Sequence, residues 1–224
     1  MKIIAVGMNY ALHNKELGHT HENKEPVIFL KPDSAILKDG KPFFIPDFSN
    51  EVHYEAEVVV RICRLGKNIA PRFAHRYYDA VTVGIDFTAR DLQRKFVRRV
   101  IRGSFAKVST IRQLSVPLFL WNRWAAMYRS DFRLTIDDKE VQRGHTADML
   151  FRVDDIIAYV SRFMTLKSVT CCSREHPRES LPSASDSTCR VILGKGKYLT
   201  SIFADYLRLV FLVTSLFFRT FVST

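Results

Sequence analysis

The chain has 224 residues, a length that suits one domain, and 47% of them are hydrophobic, enough for a sizeable core. The N-terminal stretch lacks the pattern of a signal peptide, and the longest apolar run, residues 210–218, is about half as long as a membrane helix requires. Four cysteines in a chain of this length do not form a disulfide framework. We therefore expect a cytoplasmic protein that does not cross a membrane.

The net charge of +11 would suit a nucleic-acid partner, but the charge is unevenly distributed. Residues 97–130 contain seven basic and no acidic residues, residues 168–224 have a net charge of +3, and the rest is almost neutral. We therefore expect no nucleic-acid partner. The alternative is a nucleic-acid binder that uses residues 97–130 with Trp121, Trp124 and Tyr128.

Hydrophobic periodicity predicts a β-rich α+β fold with short helices. The expected elements in chain order are strand 2–6, a helix or loop at 11–17, strands 27–30, 43–45, 52–62 and 80–87, a helix from Thr88 to Phe96 with Asp91 in a partial capping box, a hairpin of 132–136 and 141–142 turning at Asp137 and Asp138, and helix 153–163. Residues 97–130 and 168–224 show no steady period. We therefore expect one domain in residues 1–167, with an atypical segment at 97–130, and a separate tail in residues 168–224.

Two glutamates interrupt the clearest predicted strand. Glu55 and Glu57 are two residues apart within residues 52–62, and on a strand such residues face the same side. Two carboxylates held close together repel unless a cation lies between them, and a hard divalent cation prefers oxygen ligands. The pattern is compatible with a metal site and also with a solvent-facing strand edge.

A third carboxylate, Asp86, lies where the next apolar strand ends. Arg90 and Gln93 follow at spacings of four and seven residues, so on a helix they share a face and could bind the carboxylate of a substrate. The plainer alternatives are a turn or capping aspartate and a solvated helix face.

Near the N-terminus, His13 and Glu16 are one helical turn apart. A histidine oriented by a carboxylate can activate water as a general base. A surface pair is the alternative reading of these two residues.

Five segments together resemble the fumarylacetoacetate hydrolase family, in particular its small single-domain acylpyruvase- or isomerase-like members. These segments are residues 7–16, with Gly7, Asn9, Tyr10, His13 and Glu16, then residues 25–32, the Glu55/Glu57 strand, residues 84–93, and residues 142–151. Their order and approximate spacing agree with the family, and they cover about 130 of the 224 residues.

The resemblance implies a mixed β-roll, a β-sandwich-like barrel, that is usually dimeric. It implies Mg²⁺ or Mn²⁺ bound by Glu55, Glu57 and Asp86, a His13–Glu16 dyad that activates water, and substrate contacts from Arg90, Gln93 and Thr146. The expected reaction is hydrolysis of a carbon–carbon bond in acylpyruvate- or fumarylpyruvate-type substrates. Decarboxylation of an oxaloacetate-type substrate and isomerisation of a 2-hydroxyhepta-2,4-diene-1,7-dioate-type substrate are the alternatives.

Two segments of the family pattern are missing from this chain. The family has an aromatic-rich segment with a lysine after the Asp86 helix and a Gly/Thr/Pro-rich strand near the C-terminus. Both fall within residues 97–130 and 168–224, and codons allowed for these residues can encode both segments in a shifted frame. We hypothesise frameshifts near Phe96 and Lys167, which would leave the fold incomplete and this chain weakly active or inactive.

Two weaker alternatives concern the tail. A zinc site could use Cys171, Cys172, His176 and Cys189, although adjacent cysteines do not match the usual ligand spacing. Residues 207–222 could attach to a membrane, but this run is short and has no second anchor.

Overall fold

The computed structural model describes residues 2–10, 24–37, 43–98, 113–114, 129–167, 169–174, 188–193 and 196–202. Its strands are β1 Lys2–Gly7, β2 Val27–Pro32, β3 Ile36–Leu37, β4 Val52–Ile62, β5 Tyr78–Ala89, β6 Gln113–Leu114, β7 Asp131–Ile136, β8 Lys139–His145, β9 Val169–Arg174, β10 Thr188–Leu193 and β11 Gly196–Ile202. The α-helices are α1 Pro71–Ala74, α2 Arg90–Arg98 and α3 Val153–Phe163, and single 3₁₀ turns occupy Asp33–Ala35 and Thr146–Asp148.

The strands form a five-stranded sheet in the order β2-β1-β9-β4-β5, a four-stranded sheet in the order β11-β10-β7-β8, and a short β3-β6 pair. In the larger sheet, β1 and β9 run parallel and the other neighbours are antiparallel. Many strands with few helices confirm the predicted α+β class. The roll or barrel closure remains a prediction.

The long β4–β5 ladder organises the larger sheet. β4 has the predicted bounds, because its β-branched residues favour a pleated, buried strand. Its residues alternate between two faces, and both faces are buried over most of its length. One face, with Tyr54, Val58 and Val60, belongs to the main apolar core together with Ile85 and Phe87 of β5.

The predicted hairpin is present as β7 and β8. Asp137 and Asp138 both have positive φ, 49° and 65°. Two successive left-handed residues match the twist of a two-residue hairpin turn, and aspartate tolerates this conformation better than most residues.

Helix α3 packs its apolar stripe on the core, as its spacing predicts. Val153, Ile156, Ile157 and Val160 are buried. No helix within the described ranges is long and apolar enough to cross a membrane.

The five-stranded sheet is curled. β2 and β5 lie at its opposite edges, which would be about 19 Å apart across a flat sheet. Yet Lys31 Nζ of β2 lies 2.6 Å from Asp86 Oδ2 of β5. A lysine side chain cannot bridge a flat sheet, so the two edges bend towards each other over the face that carries Asp86.

Three details of the predicted elements need correction. Residues 43–45 form no strand. Only Phe43 of the three is buried, with its ring stacked on Phe87 at a centroid distance of 3.9 Å, whereas Ile45 is exposed. The helix predicted from Thr88 begins at Arg90, since Thr88 still belongs to β5 and its hydroxyl donates to Glu55. The Asp91 carboxylate accepts hydrogen bonds from Ser49 Oγ and the Asn50 N–H and so anchors the preceding loop.

The tail contributes to both sheets in the described part of the chain. β9 lies between β1 and β4, and β10 pairs with β7. The predicted boundary at residue 167 therefore does not separate one sheet from another. It remains a prediction about where the family pattern ends. The predicted element at residues 11–17 lies outside the described residues.

Candidate metal centre

Three buried carboxylates meet on one face of the β4–β5 ladder. Glu55 lies directly opposite Asp86 in the register, and Glu57 follows two residues later on the same face. All three residues have 0% exposure. One oxygen from each carboxylate lies within 4.8 Å of the others.

Two cationic side chains contact this carboxylate triad. Lys31 Nζ lies 2.6 Å from Asp86 Oδ2, with both side chains fully buried. Arg90 Nη2 donates to Glu55 Oε1 at 2.8 Å. With all five groups ionised, the cluster keeps one negative charge that these two cations do not balance.

The donor set fits Mg²⁺ or Mn²⁺. Carboxylate oxygens are the hard ligands that these ions prefer, and three on one face leave further coordination positions for water or a substrate. Burial strengthens the attraction for a cation, because the surrounding dielectric is low. The triad could therefore hold one divalent ion.

Arg90 and Gln93, the predicted substrate contacts, lie together at the border of the triad. Both belong to α2, and Arg90 Nη1 donates to Gln93 Oε1 at 2.5 Å. Since Arg90 also binds Glu55, one guanidinium links the carboxylate triad to the start of the helix. Their contact with a substrate remains a prediction.

Thr146, the third predicted substrate contact, lies in the turn after β8 and is 4% exposed. The Ser130 N–H donates to its Oγ at 2.9 Å, and the Thr146 N–H donates to the Ser130 carbonyl at 3.0 Å. These bonds fasten the turn to the start of β7. A substrate role for Thr146 is likewise still a prediction.

The predicted dyad, His13 and Glu16, lies outside the described residues. The chain just before it is firmly anchored. Asn9 is fully buried, its Oδ1 accepts from the Phe151 N–H at 2.7 Å, and its Nδ2 donates to the Phe151 carbonyl at 3.0 Å.

The sequence analysis missed Lys31 as part of the site. Lys31 directly follows the predicted apolar strand 27–30, and this position was a usable signal. A lysine in a buried strand almost always has an acidic partner. Which carboxylate it would meet could not be read from the sequence, since β2 and β5 are far apart in the chain.

His53 was also overlooked. It precedes Glu55 by two residues, so it lies on the same face of β4, and its Nε2 is 2.9 Å from Glu51 Oε1. Burial, together with the nearby Arg90 guanidinium, lowers the pKa of the His53 imidazole below its ordinary value. The alternating pattern of His53, Glu55 and Glu57 was the available signal.

Comparison with known proteins identifies the wider relationship. The family described as fumarylacetoacetate (FAA) hydrolase C-terminal matches residues 2–172. The mitochondrial oxaloacetate tautomerase FAHD2 of Arabidopsis thaliana is 33% identical over 172 residues, which cover 74% of this chain and 73% of that protein. The mitochondrial oxaloacetate decarboxylase of Dictyostelium discoideum is 34% identical over 171 residues, covering 75% of this chain and 76% of that one.

The fold has matching solved structures. The 5-carboxymethyl-2-hydroxymuconate delta-isomerase of Mycobacterium smegmatis superposes with a TM-score of 0.75 and 28% identity, covering 89% of this chain and 77% of the other. The proteins to which this chain is similar thus include a tautomerase, a decarboxylase and an isomerase. The chain belongs to the fumarylacetoacetate hydrolase family of enzymes, as a relative of its C-terminal domain.

Proposed function

We propose that this protein is a Mg²⁺- or Mn²⁺-dependent enzyme that acts on small oxo acids by way of an enolate. The observation that carries the proposal is the buried Glu55, Glu57 and Asp86 triad, whose oxygens lie within 4.8 Å of one another. Such a cluster is costly to bury without a cation.

A bound divalent ion would supply Lewis-acid stabilisation of negative charge on the substrate's oxo oxygen. The protein's own residues would orient the substrate. Arg90 presents a guanidinium at the border of the triad, suited to bind a carboxylate, and Gln93 fixes that guanidinium through its amide oxygen. The buried walls of the site would exclude water and keep these interactions strong.

The proposed first substrate is oxaloacetate and the first reaction is keto–enol tautomerisation. The named activity of the Arabidopsis relative, at 33% identity over most of both chains, supports this choice. Decarboxylation of oxaloacetate starts instead from its keto form: the bond to the leaving CO₂ breaks, and its electrons form the enolate of pyruvate, whose oxygen a bound divalent ion would stabilise. The Dictyostelium relative supports this reaction.

Hydrolysis of acylpyruvates, the reaction expected from the sequence, is the second candidate. It requires an activated water that attacks the acyl carbonyl, after which the carbon–carbon bond breaks and its electrons leave as the enolate of pyruvate. The predicted dyad of His13 and Glu16 would provide the base. A comparison of oxaloacetate with an acylpyruvate as substrates separates the two reactions.

The direct test is the substitution Glu55→Gln, which removes one charge and keeps the side-chain size. We expect metal-dependent turnover of oxaloacetate to fall at least about 100-fold, because a charged ligand is lost where the substrate would bind. The matched control is Glu140→Gln, since Glu140 forms an exposed ion pair with Arg143 in β8. Equal metal-dependent turnover in the wild type and Glu55→Gln, above the rate without protein, would remove Glu55 from this role.

The same turnover assay tests the frameshift hypothesis. It predicts that this chain turns over oxaloacetate more slowly than a frame-corrected protein measured at the same Mg²⁺ concentration. Sequencing of the gene across the codons for Phe96 and Lys167 decides its premise, and one uninterrupted reading frame would refute it.

A homodimer and a cytoplasmic location also remain predictions, testable by light scattering and by fractionation.

A further inference from the structure

Gln142 of β8 joins the smaller sheet to the strand that carries two of the triad carboxylates. Its side chain is buried, with 7% exposure of the residue. The Ala56 N–H donates to Gln142 Oε1 at 3.0 Å, across a sequence separation of 86 residues. Ala56 lies between Glu55 and Glu57, so this bond holds the backbone at the centre of the proposed metal-binding strand.

In the described part of the chain, the bond lies where the ladder between β4 and β9 stops. β9 pairs with β4 from Glu57 to Arg61, and Ala56 is the next residue along β4. Its N–H donates to Gln142, so it points away from β5 and towards the side on which β9 is described as far as Arg174. A buried N–H without a partner would be unfavourable, and the Gln142 side chain supplies the acceptor that the sheet does not.

An amide suits this position because it accepts a hydrogen bond without adding charge. A carboxylate here would be a fourth one near the triad, where like charges already repel. The Ala56 bond also assigns the amide orientation, since Oε1 must face the N–H.

We infer that Gln142 is a positioning residue, which fixes the backbone between Glu55 and Glu57 so that both carboxylates meet Asp86 at the spacing a divalent ion requires. The inference rests on the proposed metal-dependent function. Partners that orient metal ligands typically contribute about 10- to 100-fold to metal affinity.

The same fold contains a matched comparison. The Ser161 hydroxyl in α3 accepts from the Ile69 N–H at 2.9 Å, and Ser161 is fully buried. This is also a buried bond from a side chain to the backbone, but neither Ser161 nor Ile69 adjoins a residue of the triad in the chain. Its loss should affect stability and leave metal binding unchanged.

The experiment measures Mn²⁺ binding by the electron paramagnetic resonance signal of the free ion, for the wild type, Gln142→Met and Ser161→Ala. Thermal unfolding without metal is measured in parallel. We expect Gln142→Met to weaken Mn²⁺ binding by about tenfold or more. Ser161→Ala should lose thermal stability and bind Mn²⁺ as the wild type does.

The outcomes separate this inference from the function on which it rests. A wild type that binds no Mn²⁺ would overturn both. A wild type that binds Mn²⁺ together with a Gln142→Met variant of equal affinity would overturn the role of Gln142 alone. Should Gln142→Met fail to fold, amide hydrogen exchange in the metal-free wild type decides: slow exchange at Ala56 supports the bond, and rapid exchange there overturns it.

Discussion

Along β4 and β5, successive residues alternate between two buried faces of one sheet, and the two faces have opposite chemistry. Tyr54, Ile85 and Phe87 belong to the apolar core, whereas Glu55 and Asp86 on the other face are equally buried and charged. Burial of the first face is favourable in itself, because apolar area leaves water. Burial of the second is unfavourable unless cations compensate it, so this face indicates function.

The largest effects should come from two adjacent residues on opposite faces. Phe87→Ala should lower the free energy of unfolding by about 3–5 kcal/mol, because it leaves a cavity in the core. Asp86→Asn should weaken Mn²⁺ binding at least about 100-fold, because it removes a charged ligand. Urea unfolding and Mn²⁺ titration of both variants measure the two effects.

Each of these variants is the control for the other. If the Phe87→Ala variant remains folded at low temperature, it should bind Mn²⁺ with wild-type affinity. If Phe87→Ala weakened Mn²⁺ binding as strongly as Asp86→Asn, the proposed separation between a stabilising face and a metal-binding face would be wrong.

A smaller effect is expected from the buried cation. Lys31→Met leaves the Asp86 carboxylate buried without this partner, which should lower metal-free stability by about 3 kcal/mol. Mg²⁺ should recover part of this loss, because a divalent ion supplies the missing positive charge. Thermal unfolding with and without Mg²⁺ measures both effects.

Arg61→Met is the matched control for Lys31. Arg61 pairs with Asp79 at 2.7 Å on the same sheet, but the two side chains are 41% and 37% exposed. An exposed pair contributes about 0–1 kcal/mol, so Arg61→Met should change the free energy of unfolding little. The stabilisation by Mg²⁺ should be the same in this variant as in the wild type. If both variants lost the same free energy of unfolding, the buried Lys31–Asp86 pair would contribute no more to stability than an exposed pair.

The smallest effect is expected away from both faces, at Asp91 in the first turn of α2. Burial raises the pKa of the Asp91 carboxyl, but hydrogen bonds from Ser49, Asn50 and Leu92 outweigh this and hold it below its ordinary value of 3.8. A lowered pKa in the folded state stabilises the fold above pH 3.8, and this contribution is lost as the pH falls further.

Asp91→Ala should therefore lower the free energy of unfolding by about 1–2 kcal/mol at neutral pH, and by much less below about pH 3. Urea unfolding at both pH values checks this, with Asp47→Ala as a control in the preceding loop. A loss that stayed the same at low pH would show that the carboxylate charge is not the cause.

The sequence alone determined the features that depend on local periodicity. The bounds of β4 and α3 and the shared face of Glu55 and Glu57 follow from repeats of two or about four residues. The Asp137–Asp138 turn follows from turn-forming residues between two apolar runs. These patterns act between near neighbours in the chain, so they can be read without knowledge of the remaining fold.

Only the tertiary structure decided which distant residues meet. The register that sets Glu55 opposite Asp86, the curl that brings Lys31 from the far edge, and the reach of Gln142 to Ala56 depend on pairing and curvature between strands. The predicted strand 43–45 illustrates the same limit, since a short apolar strand and a loop with one buried aromatic residue, here Phe43, have similar sequences. Contacts between distant segments depend on the packing of the whole sheet, which no short stretch of sequence encodes.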